Sequence, residues 1–173
     1  NERARASRIV LINQFGFSRD RLGDSMPPNT GFDDLRLGAD LEFGQSIYEP
    51  FGIAQLEPLS SGALCVVSNV CGCLGFVRQA EAELPKAEVN PVIVGDYTHL
   101  PFANDMATAM AIGTAQRDEI ERRTAGEISW YIVDRLPRTD AQKRALMDRG
   151  QLLASRMSWD VIAGERLLPV LSA

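Results

Sequence analysis

The stretch from Ala39 to Val67 constrains the fold of this chain most, because two short apolar runs flank a turn. The first run covers Ala39 to Phe43 and the second covers Ala63 to Val67. Between them lies Glu49-Pro50-Phe51-Gly52, a turn that leads into a predicted helix. The order strand, turn, helix, strand predicts a parallel βαβ unit. In such units the loops at the carboxyl ends of the strands gather ligands.

Two carboxylates eight residues apart, those of Glu49 and Glu57, belong to this predicted unit. A helix beginning near Gly52 points unpaired N–H groups and a positive dipole end toward the turn, which favours an anion. Glu57, inside that helix, has the chemistry to accept hydrogen bonds from a vicinal diol, and Glu49 to contact a sugar hydroxyl. Glutamates at this spacing are also common on ordinary solvated helices, where Glu49 would be a helix-entry acid.

The segment Glu49-Pro50-Phe51-Gly52-Ile53, with Glu57 eight positions after Glu49, resembles the signature of retaining GT-B glycosyltransferases. Within that family it is most similar to the glycogen and starch synthase branch. Gly38-Ala39-Asp40 and Ser60-Ser61-Gly62-Ala63 resemble the segments on either side, as does Ser158-Trp159 in the last helix. The resemblance extends over residues 38–75 and, more weakly, over 140–171.

The resemblance implies the C-terminal, donor-binding domain of a GT-B fold, an α/β Rossmann-like three-layer parallel sheet ending in several helices. It implies that Glu49 contacts the donor sugar and is essential for transfer, and that Glu57 holds the nucleotide ribose. Gly72 is implied to lie in the loop beside the donor. The backbone amides implied to bind sugar hydroxyls and diphosphate are those of Phe51, Gly52, Ile53 and Ala54.

The reaction implied is glucosyl transfer from ADP- or UDP-glucose to an α-glucan. In that chemistry backbone amides and basic groups hold the charge of the leaving diphosphate. No metal and no cofactor other than the nucleotide sugar is expected. Because no G-x-G-x-x-G follows a strand, an NAD-type dehydrogenase is not predicted.

One loop departs from the family pattern. Related enzymes have a Gly-Gly turn with an acid three residues beyond it, where this chain has Cys71-Gly72 and then Gly75. A cysteine at a position that needs positive φ would be strained, so we expect a loop of different shape. The alternative interpretation is a degenerate GT-B module with a regulatory or structural role and weak or no donor binding.

The chain of 173 residues is predicted to be a single domain, 1–173, and an incomplete one. It begins at Asn1 without a methionine, which is typical of an excised piece. The family carries an Arg and a Lys for the donor diphosphate on earlier strands, and nothing before Ile9 matches them. The N-terminal domain that binds the glycan acceptor is expected to be missing, so the isolated chain is predicted to be inactive.

Composition excludes several other classes of protein. The net charge of −5 argues against a dedicated nucleic-acid binder. No apolar run approaches the ~20 residues of a membrane span, and no signal peptide is recognisable. The three cysteines, Cys65, Cys71 and Cys73, lack zinc-site spacing and are predicted to be reduced thiols of a cytoplasmic protein. The single histidine, His99, is expected to be structural.

The remaining elements follow from apolar runs and breakers. Short strands are predicted at Ile9–Ile12 and Pro91–Gly95, a loop over 18–34, and a helix within 76–90 that Pro85 breaks. Helix is predicted from Asn104 onward, followed by a buried segment at Ile128–Leu136 that Pro137 ends. Thr139 or Asp140 is expected to cap a helix that reaches Arg156, and Ser158 to cap the last one. An apolar stripe on that last helix, expected to be core or interdomain surface, comprises Trp159, Ile162, Ala163, Leu167, Val170 and Leu171.

Overall fold

The computed structural model divides the chain into two compact units, residues 1–38 and residues 39–173. The residues it describes are 27–45, 49–97, 107 and 110–172. The predicted strand Ile9–Ile12, most of the predicted loop over 18–34, and His99 lie outside the described residues.

The described part of the first unit contains one short helix, α1 (Phe32–Leu37). The Asp34 carboxylate closes its start by accepting a hydrogen bond from the Gly31 N–H at 2.7 Å. The Arg36 guanidinium lies over the Phe32 ring, 4.9 Å from its centroid. Helix therefore begins inside the stretch predicted as loop, because an acidic first turn and its cap stabilise it locally.

The second unit is built on a three-stranded parallel sheet. Its strands, in spatial order, are β1 (Leu41–Gly44), β2 (Leu64–Ser68) and β3 (Val92–Gly95). Every residue of β2 is buried, because this central strand is covered on both faces. The predicted α/β class with a parallel sheet is confirmed, and the runs predicted at 39–43, 63–67 and 91–95 agree with β1, β2 and β3 to within two residues at each end.

Further helices lie between β2 and β3 and after β3. The first three are α2 (Cys73–Glu83), α3 (Thr114–Arg135) and α4 (Asp140–Arg156). The C-terminal segment consists of three consecutive parts: α5 (Trp159–Val161), a π-helical stretch (Ile162–Leu167) and α6 (Leu168–Leu171). The predicted caps are confirmed: Thr139 Oγ1 accepts from the Gln142 N–H at 3.2 Å, and Ser158 Oγ from the Val161 N–H at 3.4 Å. α2 begins earlier than predicted and ends before Pro85.

Alternate residues of β2 point into two hydrophobic clusters, one on each face of the sheet. One cluster contains Cys65, Val67, Leu59, Val77 of α2 and Leu153 of α4. The other cluster contains Leu64, Val66, Ile93, Ile128 of α3 and Leu146 of α4. The sheet is therefore the middle layer of three, as the period-two pattern of a doubly covered strand requires.

The segment between β1 and β2 is not the α-helix that the sequence predicted. It consists of two short 3-10 helices, Ile53–Gln55 and Glu57–Ser61, so Glu57 begins the second one instead of lying inside a longer helix. Pro58 explains the difference, because it has no N–H to donate to the Ala54 carbonyl as an α-helix would require. A left-handed Gly62, with φ of 80°, then ends the segment.

The predicted burial of the segment Ile128–Leu136 was wrong. In the segment Ile128–Leu136 only Ile128 is buried, whereas Trp130 and Val133 are 63% and 61% exposed. Most of the C-terminal apolar stripe is exposed, with Trp159 at 76%, so it is not core; the alternative prediction of an interdomain surface stays a prediction. α3 contacts β3, and its buried residues are Thr124 and Ile128, so Trp130 and Val133 lie on the part of the helix that no described element covers.

Candidate functional site

The Glu49–Gly52 turn docks against the loop that follows β2. Glu49 and Cys71 form an isolated parallel bridge, and the Gly72 N–H donates to the Glu49 carbonyl at 2.9 Å. These bonds continue the β1–β2 pairing past the ends of both strands. The turn therefore lies at the carboxyl edge of a parallel sheet, where α/β proteins bind their ligands.

Position 72 has no room for a side chain, so only glycine fits there. A Cβ at this position would lie 1.7 Å from the Pro50 carbonyl oxygen and 3.3 Å from the Phe51 nitrogen. Both are backbone atoms, so a side chain could not be accommodated by rotating a neighbour. The conformation of Gly72 is ordinary, with φ of −60°. The predicted loop residue is thus the point of closest backbone approach between the two loops.

Position 52 favours glycine for two reasons, its backbone conformation and the lack of room for a side chain. Its φ of 62° is left-handed, a region that glycine adopts without strain. A Cβ on Gly52 would lie 2.4 Å from Cys71 Sγ and 2.9 Å from Gln55 Oε1. Cys71 therefore fills the volume that a glycine leaves free. Within the described residues no residue other than glycine has positive φ, so Cys71 is not strained there.

The Glu49 carboxylate turns back onto its own turn. Its Oε1 accepts hydrogen bonds from the N–H groups of Phe51 at 3.3 Å and of Gly52 at 3.2 Å. These are two of the four amides that the resemblance implied for a donor. A carboxylate oxygen of the turn itself occupies them, so these two amides are hydrogen-bonded within the turn. Phe51 and Ile53 are exposed beside it, at 65% and 56%.

Glu57 is exposed on the second 3-10 helix, where its carbonyl accepts from Ser60 Oγ at 2.8 Å. Four cavities of the second unit, of about 410, 170, 470 and 380 Å³, have neither Glu49 nor Glu57 in their walls. The smallest of them is lined by Ala54 and Gln55, among others. The buried Gln55 Oε1 has no hydrogen-bond partner among the described residues.

A polar bridge at the same edge of the sheet was missed by the sequence reasoning. Asn69 Nδ2 donates to Asp96 Oδ1 at 2.5 Å, and Asn69 Oδ1 accepts from the Tyr97 N–H at 3.1 Å. Thr124 Oγ1 of α3 donates to the Asp96 carbonyl at 2.8 Å. The available signal was positional, because Asn69 and Asp96 are each the first residue after a strand. This bridge fixes the loops after β2 and β3 relative to each other.

The cysteine thiols of the second unit are buried. Cys65, Cys71 and Cys73 are free and buried. Burial, together with the neighbouring Cys71, raises the pKa of the Cys73 thiol to about 12. A thiol that stays protonated at neutral pH is a poor nucleophile and a poor metal ligand. No group of three or more histidine, cysteine or acidic residues in the described part of the chain could hold a metal ion.

Comparison with known proteins found no matching family model, no similar curated protein and no similar solved structure. Among the described helices, none combines the length and apolar character needed to cross a bilayer. The resemblance to GT-B enzymes therefore stays a prediction from the motif residues of the sequence.

Proposed function

We propose that residues 38–75 form the donor-binding part of a retaining GT-B glycosyltransferase. The reaction is glucosyl transfer from ADP- or UDP-glucose to an α-glucan acceptor bound by a further domain. The observation that supports this most is the contact between Pro50 and Gly72, which joins the motif turn to the loop after β2. That contact sets backbone N–H groups and the Glu49 carboxylate together at the ligand-binding edge of a parallel sheet.

Glu49 and the amides of its turn have complementary roles in this proposal. When a donor binds, its hydroxyl or phosphate oxygens replace the Glu49 Oε1 at the N–H groups of Phe51 and Gly52. The released carboxylate then orients the sugar and balances positive charge that develops at the anomeric carbon. The amides stabilise the negative charge of the departing diphosphate, which is where such stabilisation lowers the barrier.

Glu57 is assigned to the nucleotide ribose, whose two hydroxyls suit a bidentate carboxylate acceptor. Its position at the start of the second 3-10 helix keeps the side chain exposed and accessible to a ligand. We also propose a cytoplasmic location, since three free cysteines are typical of a reducing compartment.

The second candidate function is a degenerate module that packs against a partner and binds donor weakly or not at all. One observation favours it: the Glu49 carboxylate already satisfies two of the amides that a donor needs. In this case the internal hydrogen bonds serve only to stabilise the turn.

Titration calorimetry with ADP, UDP and GDP separates the two functions. The donor-domain proposal expects saturable binding of one nucleotide, weakened by Glu57→Ala by about 1.5–3 kcal/mol, roughly ten- to a hundredfold. Glu88→Ala is the matched control, because Glu88 is an exposed glutamate that precedes β3 at the opposite edge of the sheet. Absence of saturable binding of all three nucleotides would contradict the donor-domain proposal and favour the degenerate module.

A further inference from the structure

A groove runs along the opposite, amino edge of the sheet, between the segment before β3 and the end of α3. It consists of two cavities of about 410 and 380 Å³ that share the lining residues Asp134, Leu136 and Gln142. We call it the Trp130 groove, after the tryptophan in the wall of the smaller cavity. Cavities of this size are typical of small-molecule sites.

Two polar side chains in the shared wall are suited to a hydroxylated ligand. Gln142 Oε1 accepts from the N–H groups of Arg138 at 2.8 Å and Thr139 at 3.2 Å, which fixes the amide and leaves its Nε2 hydrogens as donors. Asp134 is exposed, and its carboxylate makes no hydrogen bond or ion pair with the described residues. The shared wall therefore presents a fixed donor and a carboxylate acceptor to the same ligand.

A third polar group is held in place at the base of the groove. Arg135 Nη1 donates to the Val92 carbonyl at 2.7 Å, and its guanidinium lies over the Tyr131 ring, 4.9 Å from the centroid. Arg135 and Arg138 balance the carboxylates of Glu88 and Asp134 in the lining. The groove thus carries no net charge, so it suits a neutral ligand better than a phosphate or an amine.

Trp130 adds a flat apolar surface at the mouth of the groove. Its side chain is 63% exposed and meets the Tyr131 ring edge to face, at a centroid distance of 5.1 Å and an angle of 75°. An exposed indole held by a neighbouring ring offers apolar area at little cost in conformational entropy. The C–H face of a sugar ring packs on such a surface while its hydroxyls reach polar groups alongside.

We propose that the Trp130 groove binds a neutral pyranose chain, with one sugar ring on Trp130 and a vicinal diol between Asp134 and Gln142. The diol donates to the Asp134 carboxylate and accepts from the Gln142 amide. This site is independent of the proposed nucleotide-sugar site, because the two lie at opposite edges of the sheet. The groove binds sugar without catalysing a reaction, and it would hold a glycan on the surface of the protein.

The two tryptophans of the chain, Trp130 and Trp159, provide a matched test. Trp159→Phe leaves Trp130 as the sole indole, and its fluorescence is titrated with maltohexaose, cellohexaose and xylohexaose. We expect a saturable change with at least one of these sugars. In calorimetry on the otherwise unchanged chain, Trp130→Ala and Asp134→Ala should each weaken binding at least about tenfold. Trp159→Ala, which removes a comparably exposed indole outside the groove, should leave the affinity unchanged.

The proposal is overturned if none of the three hexasaccharides gives a saturable change. It is equally overturned if Trp159→Ala weakens sugar binding as much as Trp130→Ala does. The sugar would then bind to any exposed indole and not to the groove. Glu57→Ala should not alter sugar binding in the groove. Absence of nucleotide binding and absence of sugar binding in the groove can therefore be distinguished.

Discussion

The Glu49–Gly52 turn and the outer surface of the C-terminal helices differ in how much freedom each leaves to a side chain. At the turn, backbone atoms of Pro50 and Gly72 approach so closely that one added carbon collides. On α3 and the C-terminal segment, Trp130 and Trp159 are exposed with room to spare. Both regions carry residues of functional interest, yet only the turn is fixed by packing. Substitutions should therefore act through stability at the turn and through binding on the helices.

The largest effect is expected from Gly72→Ala. Its Cβ would lie 1.7 Å from the Pro50 carbonyl, so the two loops must separate. We expect a loss of about 3 kcal/mol or more in the free energy of unfolding, measured by urea denaturation. Gly75→Ala, in α2, has nothing within 4 Å of the new carbon and should stabilise the helix by about 0.5–1 kcal/mol. Equal changes in the free energy of unfolding for the two substitutions would contradict the close contact between Gly72 and the Pro50 carbonyl.

Gly52→Ala is expected to have the next largest effect. A left-handed φ of 62° and the Sγ of Cys71 at 2.4 Å both oppose a side chain. We expect destabilisation by about 1–3 kcal/mol in the same assay. The control is Gly126→Ala in α3, where the new carbon meets no atom within 4 Å. If Gly52→Ala were neutral, the turn would have to adopt a second conformation.

A smaller effect is expected from the ion pairs that join α2 to α4 and to the C-terminal segment. Glu83 pairs with Arg156 and, at 2.8 Å, with Arg166. The hydrogen bond from Arg156 lowers the pKa of Glu83 from its usual value of 4.5. Because the folded-state pKa is the lower one, the stabilisation is present above pH 4.5 and is lost as the pH falls through the folded pKa.

Glu83→Gln tests this contribution. The variant should lose stability relative to the parent chain at pH 7 and approach it in strong acid, where the parent Glu83 is also protonated. Thermal unfolding as a function of pH measures the difference. The effect is small because the pair is accessible to solvent, and a difference that persisted unchanged in acid would assign it to packing.

The smallest effect on stability is expected from Trp159→Ala. Because Trp159 is 76% exposed in the folded protein, its side chain buries little apolar area on folding. We expect a change within about 0.5 kcal/mol by urea denaturation. A loss of several kcal/mol would show that the indole packs against other parts of the protein in solution.

Much of the second unit could be predicted from local pattern. The three strands appear as short apolar runs between turn residues, and β2 in particular reads as a continuous apolar run because both of its faces are buried. Thr139 and Ser158 were predictable as caps because the side-chain oxygen bonds to an N–H only three residues away. The crossover was predictable in position and wrong in type, since the effect of Pro58 was not weighed.

Of the candidate site, the sequence identified the turn and its glycines as residues of interest. It could not predict that Glu49 bonds to the amides of Phe51 and Gly52, because this depends on how the turn is folded. Nor could it predict the bridge from Asn69 to Asp96. These side chains are separated by 27 residues and meet only because β2 and β3 are neighbours in the sheet.

The sequence by itself determined the order of the three strands, the two helix caps at Thr139 and Ser158, and the position of a glycine-containing turn after β1, since these depend on neighbours within a few residues. The tertiary structure alone decided that Gly72 has no room for a side chain, that Trp130 faces a groove, and that Trp159 is exposed. The physical reason is that burial and close approach depend on which element covers a residue, and elements distant in the chain provide that cover.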